Sequence, residues 1–340
     1  MRCTEQTRAE LQTRPDLWRL WTHAIAPYFQ PTPGPRTVGV ELEFFLCSEG
    51  RLVSLPQALA FFAALAAHPG WRAESAECVV HGTGKNATRL HFEYRPHLLE
   101  VSLRFFDNLE AFEQHLRAIL VTLQLCAEKL NLQFQTPLRP LALPSNLTRD
   151  LSRLPVDVSR RAFCDAVFGN AHSEWRCDDF PAVTASMHIH LGGFDWTRPG
   201  ALARLYRIER QQALQTWRAL TPDEREADAA FDQRLELYHT SFPGLPLVGV
   251  PMAEWNRYSW LQLLALGPCP LRNGQSVWST LQKQGLPPIN RDYVEKLRDF
   301  QFIRPRTFGT VEFRSEPPTL DSEVILAAVR RRWNSAAELA

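Results

Sequence analysis

An α+β fold, carried by one domain over residues 1–340, is what this sequence predicts, and three observations lead there. Several short segments alternate strictly between apolar and polar residues, the period of a strand with one buried face. Amphipathic stretches with helix start and stop signals lie between them. No Pro-, Gly- or Ser-rich linker separates one group of elements from the other, and no internal repeat or low-complexity tract is present.

In chain order, residues 9–29 read as a helix, ended by the PTPGP run at Pro31 to Pro35, so 1–35 form an N-terminal helix and Pro-rich lead-in. A strand is predicted over 37–46 and a helix near 55–67. Strands at 88–94 and 98–104 flank a turn at Arg95-Pro96-His97. Asp107 is placed to cap an amphipathic helix reaching about Leu130. Residues 135–182 are rich in Pro, Arg and Asp and read as irregular. A strand at 183–191 precedes a helix from near Pro199 to about Leu220. The charged and then Pro/Gly-rich stretch 221–250 reads as a peripheral excursion. A strand at 309–315 and a helix from Asp321 close the chain.

Composition excludes several classes. With 38 Lys plus Arg against 37 Asp plus Glu, the net charge of +1 offers no electrostatic footprint for nucleic acid or an anionic membrane. The longest apolar stretch, Ala58 to Ala67, is too short to span a bilayer, and the charged N-terminus lacks a signal-peptide core. Seven cysteines occur without a C-x-x-C pair, so neither a zinc nor a disulfide framework is indicated, and a reducing cytoplasmic compartment is expected.

Five strand segments carry the candidate chemistry. In V-G-V-E-L-E-F-F, Glu41 and Glu43 share one face against Val40, Leu42 and Phe44. In L-H-F-E-Y, Glu93 lies with His91; in L-L-E-V-S-L, Glu100 lies with Ser102. In S-M-H-I-H-L, His188 and His190 oppose Met187, Ile189 and Leu191, and in G-T-V-E-F-R, Glu312 and Arg314 oppose Val311 and Phe313. Taken singly, each is the wet face of a one-sided sheet. Together they select carboxylate, imidazole and guanidinium, where wet faces mix Thr, Ser, Lys and Gln. Carboxylates clustered in one site repel one another unless cations join them. Mg²⁺ or Mn²⁺ suits such an oxygen-rich set, and nearby arginines suit a polyphosphate. The remaining histidines, His23, His68, His81, His97, His115, His172 and His239, show no partner spacing and read as surface or core.

The order of these motifs resembles the glutamate–cysteine ligase and carboxylate–amine ligase branch of the glutamine-synthetase superfamily. V-G-V-E-L-E-F-F is similar to the family's first strand, Glu93 to Glu100 to its spaced acid pair, and M-H-I-H-L-G-G to its His-x-His strand. I-R-P-R-T-F-G-T-V-E-F-R is similar to its Arg-rich loop and Glu-x-Arg strand, and the likeness covers about residues 37–330. The resemblance implies a glutamine-synthetase-like catalytic domain: a curved, mainly antiparallel sheet with a polar concave face and helices behind. It implies ATP and Mg²⁺ or Mn²⁺ as cofactors. Glu43, Glu93 and Glu100 are implied to hold one ion, and Glu41, His188 and Glu312 the other. His190, Arg304, Arg306 and Arg314 are implied to contact phosphate oxygens, with Arg304 and Arg314 at the transferring group. This chain departs from the family in having Glu93 where Asp is usual and in a loop at 137–150 that is not Gly-rich.

The implied activity is formation of an amide bond, γ-glutamyl by first expectation, through an acyl phosphate with release of ADP and phosphate. Its partners are then small molecules, an amino-acid carboxylate (glutamate first) and an amine, with a homodimer as the candidate assembly. Two other readings stand beside it. A non-catalytic nucleotide-binding relative acts as a sensor or partner subunit. A metal-dependent amidohydrolase uses His-x-His on an early barrel strand, but here that pair follows Glu-x-Glu and precedes Glu-x-Arg.

Overall fold

A computed structural model describes residues 34–84, 86–95, 97–141, 184–197, 201–241 and 302–338. The helix expected over 9–29 and most of the irregular stretch 135–182 lie outside the described residues. Among the described residues, ten strands form one sheet: β1 (Thr37–Ser48), β2 (Arg51–Leu52), β3 (Trp71–Ser75), β4 (Cys78–His81), β5 (Thr88–Arg95), β6 (Leu98–Ser102), β7 (Gln133–Gln135), β8 (Met187–Gly192), β9 (Ile303–Pro305) and β10 (Val311–Glu316). Five helices accompany them among the described residues: α1 (Leu55–Ala66), α2 (Leu109–Lys129), α3 (Ala201–Leu220), α4 (Glu224–Ser241) and α5 (Ser322–Ala337).

The main path of the sheet runs β3-β4-β5-β6-β1-β8-β10-β9, every described pairing is antiparallel, and β2 and β7 join the far end of β1. The architecture is α+β, as expected. The sheet is open and uncurled, however, where the sequence reading anticipated a curved one. Its two outer strands do not meet: β3 is mostly exposed, and β9 is a three-residue strand ending in Pro305, a residue that has no N–H to give to a further strand.

The central position of β1 follows from its apolar residues. Val38, Val40, Leu42, Phe44 and Leu46 alternate along one face and are all buried in the main core. Residues from α1, α2 and α5 fill that core: Phe61 and Leu65, then Phe112, Leu116, Ile119 and Leu123, then Ile325 and Val329. The spacing in α2 keeps its four residues on one stripe. Each of these helices begins at an identifiable cap. Gln57 Oε1 accepts from the backbone N–H of Ser54 at 2.9 Å, and Asp321 Oδ1 from that of Glu323 at 2.8 Å. The cap of α2 is Asn108, one residue beyond the expected Asp107, and its Oδ1 accepts from Glu110 N at 2.7 Å and Ala111 N at 3.3 Å. Either residue type can cap; the turn leaving β6 places the second of the two.

Residues 224–241 differ most from expectation. This part of the supposed excursion is α4, which packs on α3 and buries Ala227, Ala230, Phe231, Arg234 and Leu235. Its charged residues other than Arg234 lie toward the outer side over Glu224 to Asp232, where Arg218 of α3 donates to Asp228 at 2.8 Å. No helix among the described residues is long and apolar enough to cross a membrane.

A register shift in β10 between Phe313 and Glu316 reverses the facing of the strand's last residue. Glu316 forms an ion pair with Arg332 of α5, and Arg332 Nη2 also donates to Glu209 Oε1 of α3 at 2.8 Å. Burial pushes Glu316 up from 4.5 to about 7, with Arg332 acting in the opposite sense. Between those values the folded chain keeps a proton that the unfolded chain has lost. The contribution of this group is therefore present below its unfolded value and disappears as pH rises through its folded one. The stability advantage of the native chain over Glu316→Gln is expected to shrink from about pH 5 to about pH 8, read from urea midpoints across that range. A pH-independent difference would show that Glu316 is ionised throughout.

Candidate active site

Strand register assembles the site from three rows of cross-strand neighbours. In the first, Arg89, Ser102, Glu41 and His188 follow one another across β5, β6, β1 and β8. In the second, His91 stands opposite Glu100 and Glu100 opposite Glu43, whose N–H donates to Ser186 O at 2.9 Å. In the third, Gly39 of β1 lies opposite His190, His190 opposite Glu312 and Glu312 opposite Arg304 of β9. Residues predicted from five separate segments thus meet on one side of one sheet.

Glu312 is fully buried and carries the densest interactions. Its Oε2 accepts from Arg304 Nε and from Arg306 Nη1, each at 2.6 Å, and its Oε1 from Arg314 Nη1. Arg304 arrives by strand pairing and Arg314 by the i+2 spacing of β10. Arg306 arrives through the hairpin turn, closed by Arg306 N to Thr310 O at 2.7 Å and Gly309 N to Arg306 O at 3.0 Å. Burial pushes the Glu312 carboxyl up, but Arg304, Arg314 and Arg306 together hold it well below the usual range.

Glu41 lies between two imidazoles: His188 Nδ1 is 3.1 Å from Oε2 and His190 Nε2 is 3.2 Å from Oε1. Burial would raise Glu41, yet the charge of His190 and the hydrogen bonds of both histidines hold it well below the ordinary value. Glu43 goes the other way. Its burial outweighs the attraction of His188, 3.7 Å away, and the nearby Glu100 adds to the rise. Glu100 is itself held low despite burial and the repulsion of Glu41, through its contacts with His91 and Ser102. His91 Nε2 is 3.3 Å from Glu100 Oε1, and Ser102 Oγ donates to the same oxygen at 2.6 Å. Burial would lower His91, but Glu100 raises it to about 10.

Among the described residues, two groups of side chains have ligand atoms within 4.8 Å of one another: Glu41, His190 and Glu312, and separately His91, Glu93 and Glu100. Compared with the sets implied by the family resemblance, His190 takes the place of His188 and His91 that of Glu43. Register places His190 directly opposite Glu312, while His91 and Glu43 both stand opposite Glu100, one on each side of it. His188 remains adjacent, 3.7 Å from Glu312 Oε1. His188 Nε2 and His190 Nδ1 are buried without a hydrogen bond. Buried imidazole nitrogens of this kind fit metal ligation.

No family model matches the chain, and no curated protein matches it at a significant level. The site therefore rests on its own geometry.

That geometry also includes residues the sequence reading passed over. Arg234 of α4 is buried and donates to Ala185 O at 2.7 Å and Ser186 Oγ at 2.6 Å, and its charge acts on Glu43. Nothing in the local sequence marks it, because its helix comes from the charged stretch. His91 does have a signal, the i+2 spacing to Glu93. Phe105 and Phe308 flank His190, each with ring centroids 6.0 Å away, and Phe105 fits because Gly39 has no Cβ, an atom that would lie 2.8 Å from its ring. Beyond β8, Gly193 has φ of 74°, and a Cβ there would meet Pro35 O at 2.2 Å, so only glycine serves. Among the described cysteines, burial pushes Cys47 and Cys78 up to about 11, which leaves them poor nucleophiles.

Removing Glu312 leaves three guanidinium groups without their shared acceptor. Glu312→Ala is expected to cost about 3–5 kcal/mol of stability, measured by denaturant unfolding. A loss below about 1 kcal/mol would mean that solvent or other side chains take over the arginines.

Proposed function

We propose that this chain is a carboxylate–amine ligase that consumes ATP with Mg²⁺ or Mn²⁺ and joins an acid, glutamate first, to an amine. The observation that carries the reading is the juxtaposition of Arg304, Arg306 and Arg314 with Glu41, His188 and His190 on one sheet face. Guanidinium donors beside carboxylate and imidazole ligands suit a polyphosphate that carries a metal ion. The motif order and its resemblance to the ligase branch supply the reaction class.

In this reading Arg304 and Arg314 face the γ-phosphoryl group as it moves to the substrate carboxylate, and Glu312 fixes their directions. His190 and Arg306 bind phosphate oxygens nearer the hairpin. Glu41, Glu43, Glu93, Glu100, His188 and Glu312 are the pool from which metal ligands come. A bound Mg²⁺ or Mn²⁺ supplies charge neutralisation between two anionic reactants. Arg234, behind Glu43, steadies the start of β8 and so the two histidines. The protein's work is positioning and electrostatics, with no covalent nucleophile. The acyl phosphate formed from the acid is then attacked by the amine, and phosphate leaves. The open antiparallel sheet does not favour the barrel-borne amidohydrolase, and the non-catalytic nucleotide binder is distinguished by turnover.

Purified protein with ATP, Mg²⁺, glutamate and an amine panel is expected to release ADP and phosphate only when both organic substrates are present. Arg314→Ala is expected to slow turnover by about 10³-fold, and Glu41→Ala to abolish it. Label from ¹⁸O-carboxylate should appear in the released phosphate. AMP as the co-product, or amide formation without label transfer, would replace the acyl phosphate with an adenylate. Nucleotide binding with no turnover across the panel would favour the sensor.

A further inference from the structure

The three guanidinium groups around Glu312 stand on backbone that is itself gripped by large aromatic side chains. Trp217 Nε1 of α3 donates to the carbonyl of Ser315 at 3.0 Å, and Tyr206 Oη of the same helix donates to that of Ile303 at 2.6 Å. Trp196, shortly after β8, donates from Nε1 to the carbonyl of Gly309 at 3.3 Å. Each carbonyl adjoins one arginine. Ile303 precedes Arg304, Ser315 follows Arg314, and Gly309 closes the hairpin turn onto Arg306 through its own N–H. All three donor side chains are buried.

Strand pairing shows what these donors do. Arg314 N bonds to Phe302 O at 2.7 Å, so in the antiparallel ladder Ile303, one residue on, turns its carbonyl away from β10. β9 ends the described path of the sheet, and Tyr206 meets that carbonyl at the edge. In β10, Arg314 and Ser315 lie between the pairs Phe313–Ile189 and Glu316–Met187, where β8 has His188 alone. Two residues against one make a bulge, which interrupts the ladder and re-aims a side chain. Arg314 belongs to that bulge, and Trp217 holds the carbonyl beside it. Ser315 is held again by donation from its Oγ to Glu209, which Arg332 Nη2 reaches at 2.8 Å. Tyr206, Glu209, Ala213 and Trp217 recur at helical spacing and are all buried. Three of the four thus bond to β9 or β10 from one stripe of α3.

We propose that Tyr206 and Trp217, with Trp196 at the turn, are positioning residues that preset Arg304, Arg314 and Arg306 around Glu312 before any ligand arrives. Glu312 gathers the three guanidinium groups, and the aromatic donors fix the backbone from which each one reaches. Removing a donor while keeping the ring leaves the apolar packing in place and takes a hydrogen bond from one buried carbonyl. The effect is therefore greatest at the arginine next to that carbonyl. This deepens the ligase reading and rests on it only for the consequence on turnover.

The test is ¹H–¹⁵N NMR of the arginine side chains in the full, ligand-free chain, with Arg304→Lys, Arg306→Lys and Arg314→Lys assigning the signals. The three groups are expected to give side-chain N–H signals protected from exchange with water. Tyr206→Phe should speed exchange most at Arg304, Trp217→Phe most at Arg314 and Trp196→Phe most at Arg306, with the circular dichroism spectrum unchanged. Ser315→Ala, which removes only the contact with Glu209, should also act on Arg314 and serves if Trp217→Phe does not fold. A merely structural role would lower the urea midpoint while the three signals stay as they are or change together, and either result overturns the proposal. With ATP and both substrates, Tyr206→Phe and Trp217→Phe should lower kcat about 10- to 100-fold, with KM for ATP little changed. Donor-specific exchange in a chain without turnover would sink the ligase reading alone. Unchanged arginine signals in Tyr206→Phe and Ser315→Ala, beside intact turnover in the native chain, would sink only the positioning role.

Discussion

A carboxylate with no access to water cannot stay charged without partners, and Glu312 meets that constraint by holding three arginines at once. Each arginine is delivered by a different device: strand pairing for Arg304, a hairpin turn for Arg306, side-chain alternation for Arg314. The register of β9, β10 and β8 is therefore tied to an electrostatic requirement as well as to the apolar face opposite. A slip of one residue would send Glu312 into the core and Phe313 into the site. From Glu312 the chain of contacts continues through His190 and His188 to Glu41, and across β1 and β6 to Glu100 and His91.

Neutralisation within this network is largely internal. The carboxylates gathered by the strands carry Coulomb repulsion, and the expectation from the sequence was that metal ions relieve it. In the folded chain, arginines relieve it at Glu312, imidazoles at Glu41, and His91 at Glu100. Glu43 is the exception, its carboxyl raised by burial with a neighbouring carboxylate adding to the effect. The consequence is a site with two characters along one sheet face. Its β9–β10 end is rich in guanidinium groups, and its β5–β6 end pairs imidazole with carboxylate.

Much of the fold was legible because period-two alternation is a local property. β1, β5, β6, β8 and β10 carry a buried apolar face whose spacing can be read directly, and α2 and α5 show their stripes and starts in the same way. The strands that escaped notice are those with little pattern to show. β3 and β4 are short, with β3 mostly exposed, and β9 ends in proline, which a sheet tolerates only at its edge. The helix α4 escaped because its charged residues dominate the local composition, while Ala227, Ala230 and Phe231 are buried only by contact with α3 and the residues around it.

For the site, the sequence by itself determined which side chains share a strand face. The geometry of a pleated strand sets that, and the apolar residues decide which face turns inward. Glu41 with Glu43, His188 with His190, Glu312 with Arg314 and His91 with Glu93 all follow. Only the tertiary structure decided which of them meet, because neighbours across a sheet depend on register between segments far apart in the chain. It placed His190 rather than His188 opposite Glu312, and His91 opposite Glu100. It also brought Arg234 from a distant helix to Ser186, beside Glu43. The bulge before Glu316 makes the same point within a single strand. Alternation alone puts that carboxylate beside Glu312 and Arg314, yet one shift in pairing turns it to Arg332.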